Sequence, residues 1–179
     1  QFILVTRESY EAVGTHAAVK HEVAEDLALA QLYFRAGRPQ LFAFGLRLLG
    51  TRMYTSLAGL VEGWSKNVYV GGRRSYPDEP VLRALIPVMF ACGALFWLLP
   101  PAVLLLALVG VTPALLAPAA WATGLSAFFW VLFNAGFGIN PLYGFSYPLG
   151  VVMTGWIFAR STRRGERRIE WRGRTYTAE

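Results

Sequence analysis

The chain has 179 residues, of which 55% are hydrophobic and only 16% charged, with a net charge of +6. Soluble domains carry nearer a quarter of charged residues. The deficit here has one location, because no Asp, Glu, Lys or Arg follows Arg83 until Arg160. That uncharged stretch far exceeds the roughly 20 residues needed to cross a bilayer, and a soluble helix would show a polar face within two turns. A purely soluble domain is therefore excluded. Cys92 is the only cysteine, which rules out an intrachain disulfide, and its place inside the apolar block suggests a small packing residue.

In chain order, Phe2-Ile3-Leu4-Val5 is a short β-type run. It lacks the basic region and cleavage site of a secretory signal, and a first residue of Gln rather than Met fits a processed product or a fragment, the latter being expected. Ser9 is a candidate helix cap and Gly14 a stop. Between Val23 and Ala36, Leu27, Leu29, Ala30 and Phe34 are spaced roughly as an amphipathic helix, closed by Gly37 and Pro39. Gln40 to Gly45 reads as a possible strand. Met53, Leu57, Leu60, Val61, Trp64 and Val68 then follow one face of a helix over 53–70. Ser56, Gly59, Glu62, Lys66 and Asn67 lie opposite, with Glu62 and Lys66 in the favourable i,i+4 order. Such a helix, bearing Trp just before an apolar block, suits the membrane interface. Packing on a soluble core is the alternative.

Gly71 to Pro80 reads as a loop. Three apolar blocks follow, at about 82–109, 113–135 and 142–160, broken at Gly110–Pro113 and Gly136–Pro141. The arginines at 73, 74 and 83 mark a cytoplasmic flank. So does the tail from Arg160 to Glu179, with seven arginines against three glutamates; lipid contact and orientation explain it better than nucleic acid. Two cytoplasmic flanks require an even number of crossings. Pro100-Pro101, splitting the first block into a hairpin, restores that parity; the alternative is three spans with one flank misread. Alternation over Ile169 to Tyr176 suggests a short hairpin.

Two motifs carry possible chemistry. Glu25-Asp26 stands at a helix start, where paired acids commonly complement the helix dipole and where a carboxylate can also act as a general base. Trp64-Ser65-Lys66-Asn67 offers a Trp that either stacks on a sugar or sits among lipid headgroups. His21-Glu22-Val23-Ala24-Glu25 approaches a zinc-protease helix, but Glu25 stands where the second histidine belongs. His16 is left as a loop or packing residue. No phosphate loop, Asp-x-Asp pair or cysteine cluster occurs.

The run Gln1 to His16, followed by Glu25-Asp26-Leu27-Ala28-Leu29-Ala30, resembles the second half of a family 2 glycosyltransferase catalytic domain. Gly14-Thr15 takes the place of that family's Gly-Gly pair. Arg52-Met53-Tyr54, Gly63-Trp64-Ser65-Lys66-Asn67 and Trp171-Arg172-Gly173-Arg174-Thr175-Tyr176 are similar to its membrane-anchored bacterial branch, which includes carotenoid-type and hopanoid-associated enzymes. The resemblance implies the C-terminal part of an α/β, GT-A type domain over residues 1–52. An interfacial helix and loop at 53–80, an α-helical transmembrane bundle at 81–160 and a basic cytoplasmic tail at 161–179 complete the expected organisation.

It implies inverting transfer from a nucleotide-sugar donor to a lipid or other membrane-associated acceptor. Asp26 would be the base and Glu25 its neighbour, with Trp64, Lys66 and Arg52 contacting acceptor or headgroup. A divalent cation, Mg or Mn, is expected in the full-length enzyme through an Asp-x-Asp motif that this sequence does not contain. The residues before Trp64 are Val61, Glu62 and Gly63, which departs from the Gln-x-x-Arg-Trp of processive relatives and leaves processivity open. The expected location is the inner (plasma) membrane, multi-pass, with the catalytic side cytoplasmic. Membrane lipids are expected partners, and nucleic acid is not. The competing reading is a small membrane scaffold or regulatory subunit without chemistry.

Overall fold

A computed structural model describes residues 2–22, 24–45, 48–165, 169–171 and 174–176. Among these the chain is helical: α1 Arg7–Ala12, α2 Glu25–Arg35, α3 Leu57–Arg74, α4 Pro80–Leu108, α5 Leu116–Gly136 and α6 Tyr147–Arg164. Three 3₁₀ turns, His16–Val19, Pro113–Leu115 and Pro141–Ser146, join them. Two three-residue strands, β1 Ile169–Trp171 and β2 Arg174–Tyr176, pair antiparallel with Trp171 opposite Arg174. Two compact units emerge. One contains Gln1–Phe44, Arg52–Ile86 and Arg160–Glu179; the other contains Gly45–Thr51 and Pro87–Ala159.

The expected α/β, GT-A type domain is overturned. Phe2–Val5 and Gln40–Gly45 form no regular element and pair with no strand among the described residues. A β-type run becomes a strand only where a neighbour accepts and donates along its edge. Here the side chains stand in the open, with Leu4 85% and Leu41 92% exposed. Residues 1–52 hold instead a small helical core of Val19, Leu29 and Tyr33, flanked by Tyr10, Val13, Ala28 and Leu32.

Local signals decide the ends of these helices. Thr6 rather than Ser9 caps α1: the Ser9 N–H donates to Thr6 Oγ1 at 3.3 Å, because Ser9 already lies inside the first turn. Gly14 ends that segment with φ +84°, and Thr15 follows at φ +60°. The left-handed region is uncommon for a β-branched residue, so Thr15 occupies a position that glycine would take without strain. Gly37, at φ +64°, closes α2 just after Arg35.

α3 extends past the expected boundary at Val70 to Arg74. Gly72 permits this, since a Cβ there would lie 3.2 Å from Ile86 Cγ2 on α4. The absence of that carbon lets the first turns of α4 lie against the end of α3.

The other unit consists mainly of apolar helix. α4 runs unbroken through Pro87, Pro100 and Pro101, so the hairpin expected at Pro100-Pro101 does not form. Proline removes one backbone donor and crowds the preceding turn, but membrane helices tolerate it where neighbours satisfy the freed groups. Three segments are long and apolar enough to cross a membrane: Pro80–Leu108, Pro113–Gly136 and Pro141–Arg164. The chain is therefore a membrane protein.

Aromatic rings join the three segments. The Trp97 ring of α4 lies 5.2 Å from Phe129 and 5.3 Å from Trp130 of α5, and 6.2 Å from Tyr147 of α6. Phe90 stacks on Phe158 at 4.0 Å. Gly144 packs directly on the α5 backbone. Cys92, expected as a packing residue, is exposed.

Candidate functional site

Glu25 and Asp26 open α2, whose capping residue Ala24 has no side-chain acceptor to offer. The acids supply what the cap does not. Asp26 Oδ1 accepts the Leu27 N–H at 2.7 Å, and both carboxylates sit where the helix dipole favours negative charge. Glu25 is exposed and Asp26 half-buried.

α2 packs on α3 through its polar residues. Gln31 Nε2 donates to the Arg74 carbonyl at 2.6 Å, and Arg74 pairs with Glu22 at 3.1 Å. The Ser9 and Tyr33 hydroxyls lie 3.4 Å apart, holding α1 to α2. This packing brings Lys66 within electrostatic reach of Glu25. Burial pushes the Lys66 ammonium below the usual lysine range, and the Glu25 carboxylate partly offsets that shift. Two of the residues singled out in sequence are thus electrostatically linked.

The others point elsewhere. At 3.6 residues per turn, Trp64 and Lys66 project about 200° apart around α3, so they do not line one site. Trp64 is 46% exposed and Leu57 65%. With Leu60 and Val68 they form an apolar stripe on the outward side of the helix. Gly63, on a third side, lies under Tyr54: a Cβ there would approach the Tyr54 ring and hydroxyl closely enough to displace them. Arg52 is exposed in the irregular segment before α3. His16 is exposed in the 3₁₀ turn, its Nδ1 facing the Tyr10 hydroxyl and its backbone N–H donating to that hydroxyl at 3.0 Å. Among the described residues no group of three His, Cys, Asp or Glu is placed to hold a metal ion.

Sequence reasoning missed the polar link on the remaining side of α3. Glu62 accepts from Arg164 at 2.7 and 3.0 Å and from Arg160 at 3.1 Å. Beside it, the Tyr69 N–H donates to Ser161 Oγ at 3.1 Å. A backbone N–H inside a helix normally bonds to the carbonyl four residues earlier, so this contact marks close approach of α6. Ser65 and Ser161, the buried polar residues among those described, lie on α3 and α6 respectively. One signal was available: Glu62 is the only acid between Asp26 and Asp78. Its sequence neighbour Lys66 suggested a local pair and drew attention from arginines about a hundred positions away.

No protein family, no curated protein and no solved structure matches this chain.

Proposed function

We propose that these residues belong to a membrane-bound, inverting glycosyltransferase that moves a sugar from a nucleotide-sugar donor to a lipid or other membrane-associated acceptor. One observation carries the reading. The helix that the acidic pair opens packs, through Gln31, on a helix whose outward stripe is apolar and whose other side receives the last turn of an apolar helix. A carboxylate is thereby held on the same compact unit as a surface suited to lipid. Residue resemblance at Glu25-Asp26 and Trp64-Ser65-Lys66-Asn67 supports the same assignment.

In this reading Asp26 takes the proton of the acceptor hydroxyl as the new glycosidic bond forms and the nucleoside diphosphate leaves. Glu25 and Lys66 shape the charge around it. Trp64 and Leu57 rest in the interface, where aromatic and apolar side chains are favoured. Arg52 meets headgroup phosphate. In the full-length enzyme of this reading, the nucleotide-sugar donor and a Mg or Mn ion would be held by residues other than these. The basic flanks favour a cytoplasmic catalytic side, and the reading puts the helices in the inner membrane.

A second reading, a membrane scaffold without chemistry, is favoured by one specific contact. Asp26 Oδ1 is engaged by its own helix N–H, which is what a purely structural acid at a helix start does.

Transfer of radiolabelled sugar from nucleotide donors into membrane lipid separates the two readings, measured on the complete protein with and without Asp26→Asn. Loss of a base is expected to lower the rate by about 10²–10⁴-fold with the amount of folded protein unchanged. Transfer at the wild-type rate would remove Asp26 as the base. No transfer from any donor, with the protein folded, would establish the scaffold reading.

A further inference from the structure

We propose that Phe137–Ser146 is a re-entrant segment, so that the three apolar helices make two crossings and α6 returns to the side that α4 left. The inference is independent of the glycosyltransferase reading. It begins with two facts about α3. Ile86 near the start of α4 lies against Gly72, and Ser161 and Arg164 near the end of α6 bond to Tyr69 and Glu62. The membrane segment therefore starts and finishes on one helix. Three full crossings would end on opposite sides.

The helix geometry shows where the odd crossing is lost. Phe90 meets Phe158 and Trp97 meets Tyr147, so α6 runs antiparallel to α4. α5 returns from the far end of α4 through the short turn at Val109–Thr112. Trp97 lies close to the middle of the uncharged part of α4, Ala84 to Leu108. Trp130 and Tyr147 share its level.

From that level α5 has only one to two further turns to Gly136, about 9 Å at 1.5 Å per residue. Half of the hydrocarbon core is about 15 Å. α5 thus stops short of the near surface. The chain then doubles back until Gly144 touches Val131, and α6 leaves from Tyr147 at mid-depth. The uncharged part of α6, Tyr147 to Ala159, spans about 20 Å, enough for half a bilayer and too little for a whole one. Together α5 and α6 complete one crossing.

Irregular backbone survives at membrane depth only where its polar groups are satisfied. Here they are largely satisfied within the segment. The N–H groups of Phe137, Gly138 and Ile139 donate to carbonyls at the end of α5, those of Phe133, Ala135 and Asn134. Asn140 caps the following turn: its Oδ1 accepts from the Leu142 N–H at 3.0 Å and its carbonyl from the Tyr143 N–H at 3.1 Å. Pro141 brings no donor. Phe137, Ile139, Leu142, Tyr143 and Phe145 present apolar surface outward, which suits contact with lipid tails.

The test is site-by-site labelling of the full chain in sealed membrane vesicles of both orientations with a membrane-impermeant maleimide. Single cysteines are placed at Ser75, Val111, Ile139 and Arg163 on a Cys92→Ser background. Ser75→Cys and Arg163→Cys are expected to label from one face, Val111→Cys only from the other, and Ile139→Cys at least tenfold more slowly than Ser75→Cys until detergent is added. Labelling of positions 75 and 163 from opposite faces would overturn the proposal in favour of three crossings. Labelling of position 139 as fast as position 75 would also overturn it, by making the segment a surface loop.

Discussion

Replacing Gly144 by Val is expected to be the most damaging single substitution in the membrane region. The Cβ alone would lie 2.5 Å from Val131 N and 2.7 Å from Val131 Cα. These are backbone atoms inside α5, so no rotamer change relieves the clash. Either the Pro141–Ser146 turn or the helix must move. Moving the turn would disturb the contact of Tyr147 with Trp97, where Tyr147 is only 6% exposed. Overpacking penalties of this kind reach about 3 kcal/mol. The thermal unfolding midpoint of the detergent-solubilised protein should fall by several degrees. Gly150→Ala serves as the comparison, because nothing lies within 4 Å of a Cβ there and alanine favours helix. That variant should hold or gain stability. Equal midpoints for Gly144→Val and wild type would contradict the packing described.

Glu62→Ala should loosen the junction between α3 and α6. The carboxylate holds two guanidinium groups at once, so its loss leaves Arg160 and Arg164 facing each other with like charge. Hydrogen bonds to charged groups contribute about 1.5–3 kcal/mol. The Glu62 side chain is two-fifths exposed, and solvent screening reduces that figure to about 1 kcal/mol.

The Arg164 hydrogen bond is the largest influence on Glu62 and, with Arg160, holds its carboxyl below the ordinary value of 4.5. The sign of the pH dependence follows. A carboxyl with a depressed folded value contributes its stability in full above the unfolded value, and loses it as pH falls through the folded value. Wild-type protein should therefore lose part of its stability on acidification below pH 4.5, and Glu62→Ala should show a flatter profile over the same window. Identical acid profiles, read by thermal unfolding at each pH, would remove the link as a source of stability.

The sequence was most legible where one physical signal acted alone. The charge-free run between Arg83 and Arg160 foretold the membrane region, and Gly110–Pro113 and Gly136–Pro141 marked its breaks. Spacing of Leu27, Leu29 and Ala30 with Gly37 beyond them placed α2 within a few residues. Legibility failed where the outcome depended on partners. Phe2–Val5 and Gln40–Gly45 have β-type composition, but strand formation requires a neighbouring edge, and none is supplied among the described residues. The α/β expectation fell with them.

Pro100-Pro101 looked like a break because proline stops helices in water. In apolar surroundings the helix continues through it. An even count of crossings, expected from charge, cannot come from Pro100-Pro101, because α4 is continuous there. In the proposed two-crossing arrangement the turn at Pro141–Ser146 supplies it, at the level where Trp97 meets Trp130 and Tyr147.

The candidate site was half legible. Glu25 and Lys66 interact electrostatically, because the acids start α2 and α2 packs on α3. Trp64 does not join them, since two residues along a helix face nearly opposite ways. The hydrogen bond from Leu27 to Asp26 and the Glu62 link to α6 lay beyond any spacing rule, one being a matter of rotamer and the other of tertiary approach. The motif Trp171-Arg172-Gly173-Arg174-Thr175-Tyr176 falls partly outside the described residues.

The most direct test of the central claim, that α4, α5 and α6 hold this chain within a bilayer, is alkaline carbonate extraction of membranes containing it. Retention in the membrane pellet, with release only by detergent, is the expected result. Release into the supernatant by carbonate alone would show a peripheral protein and contradict the account.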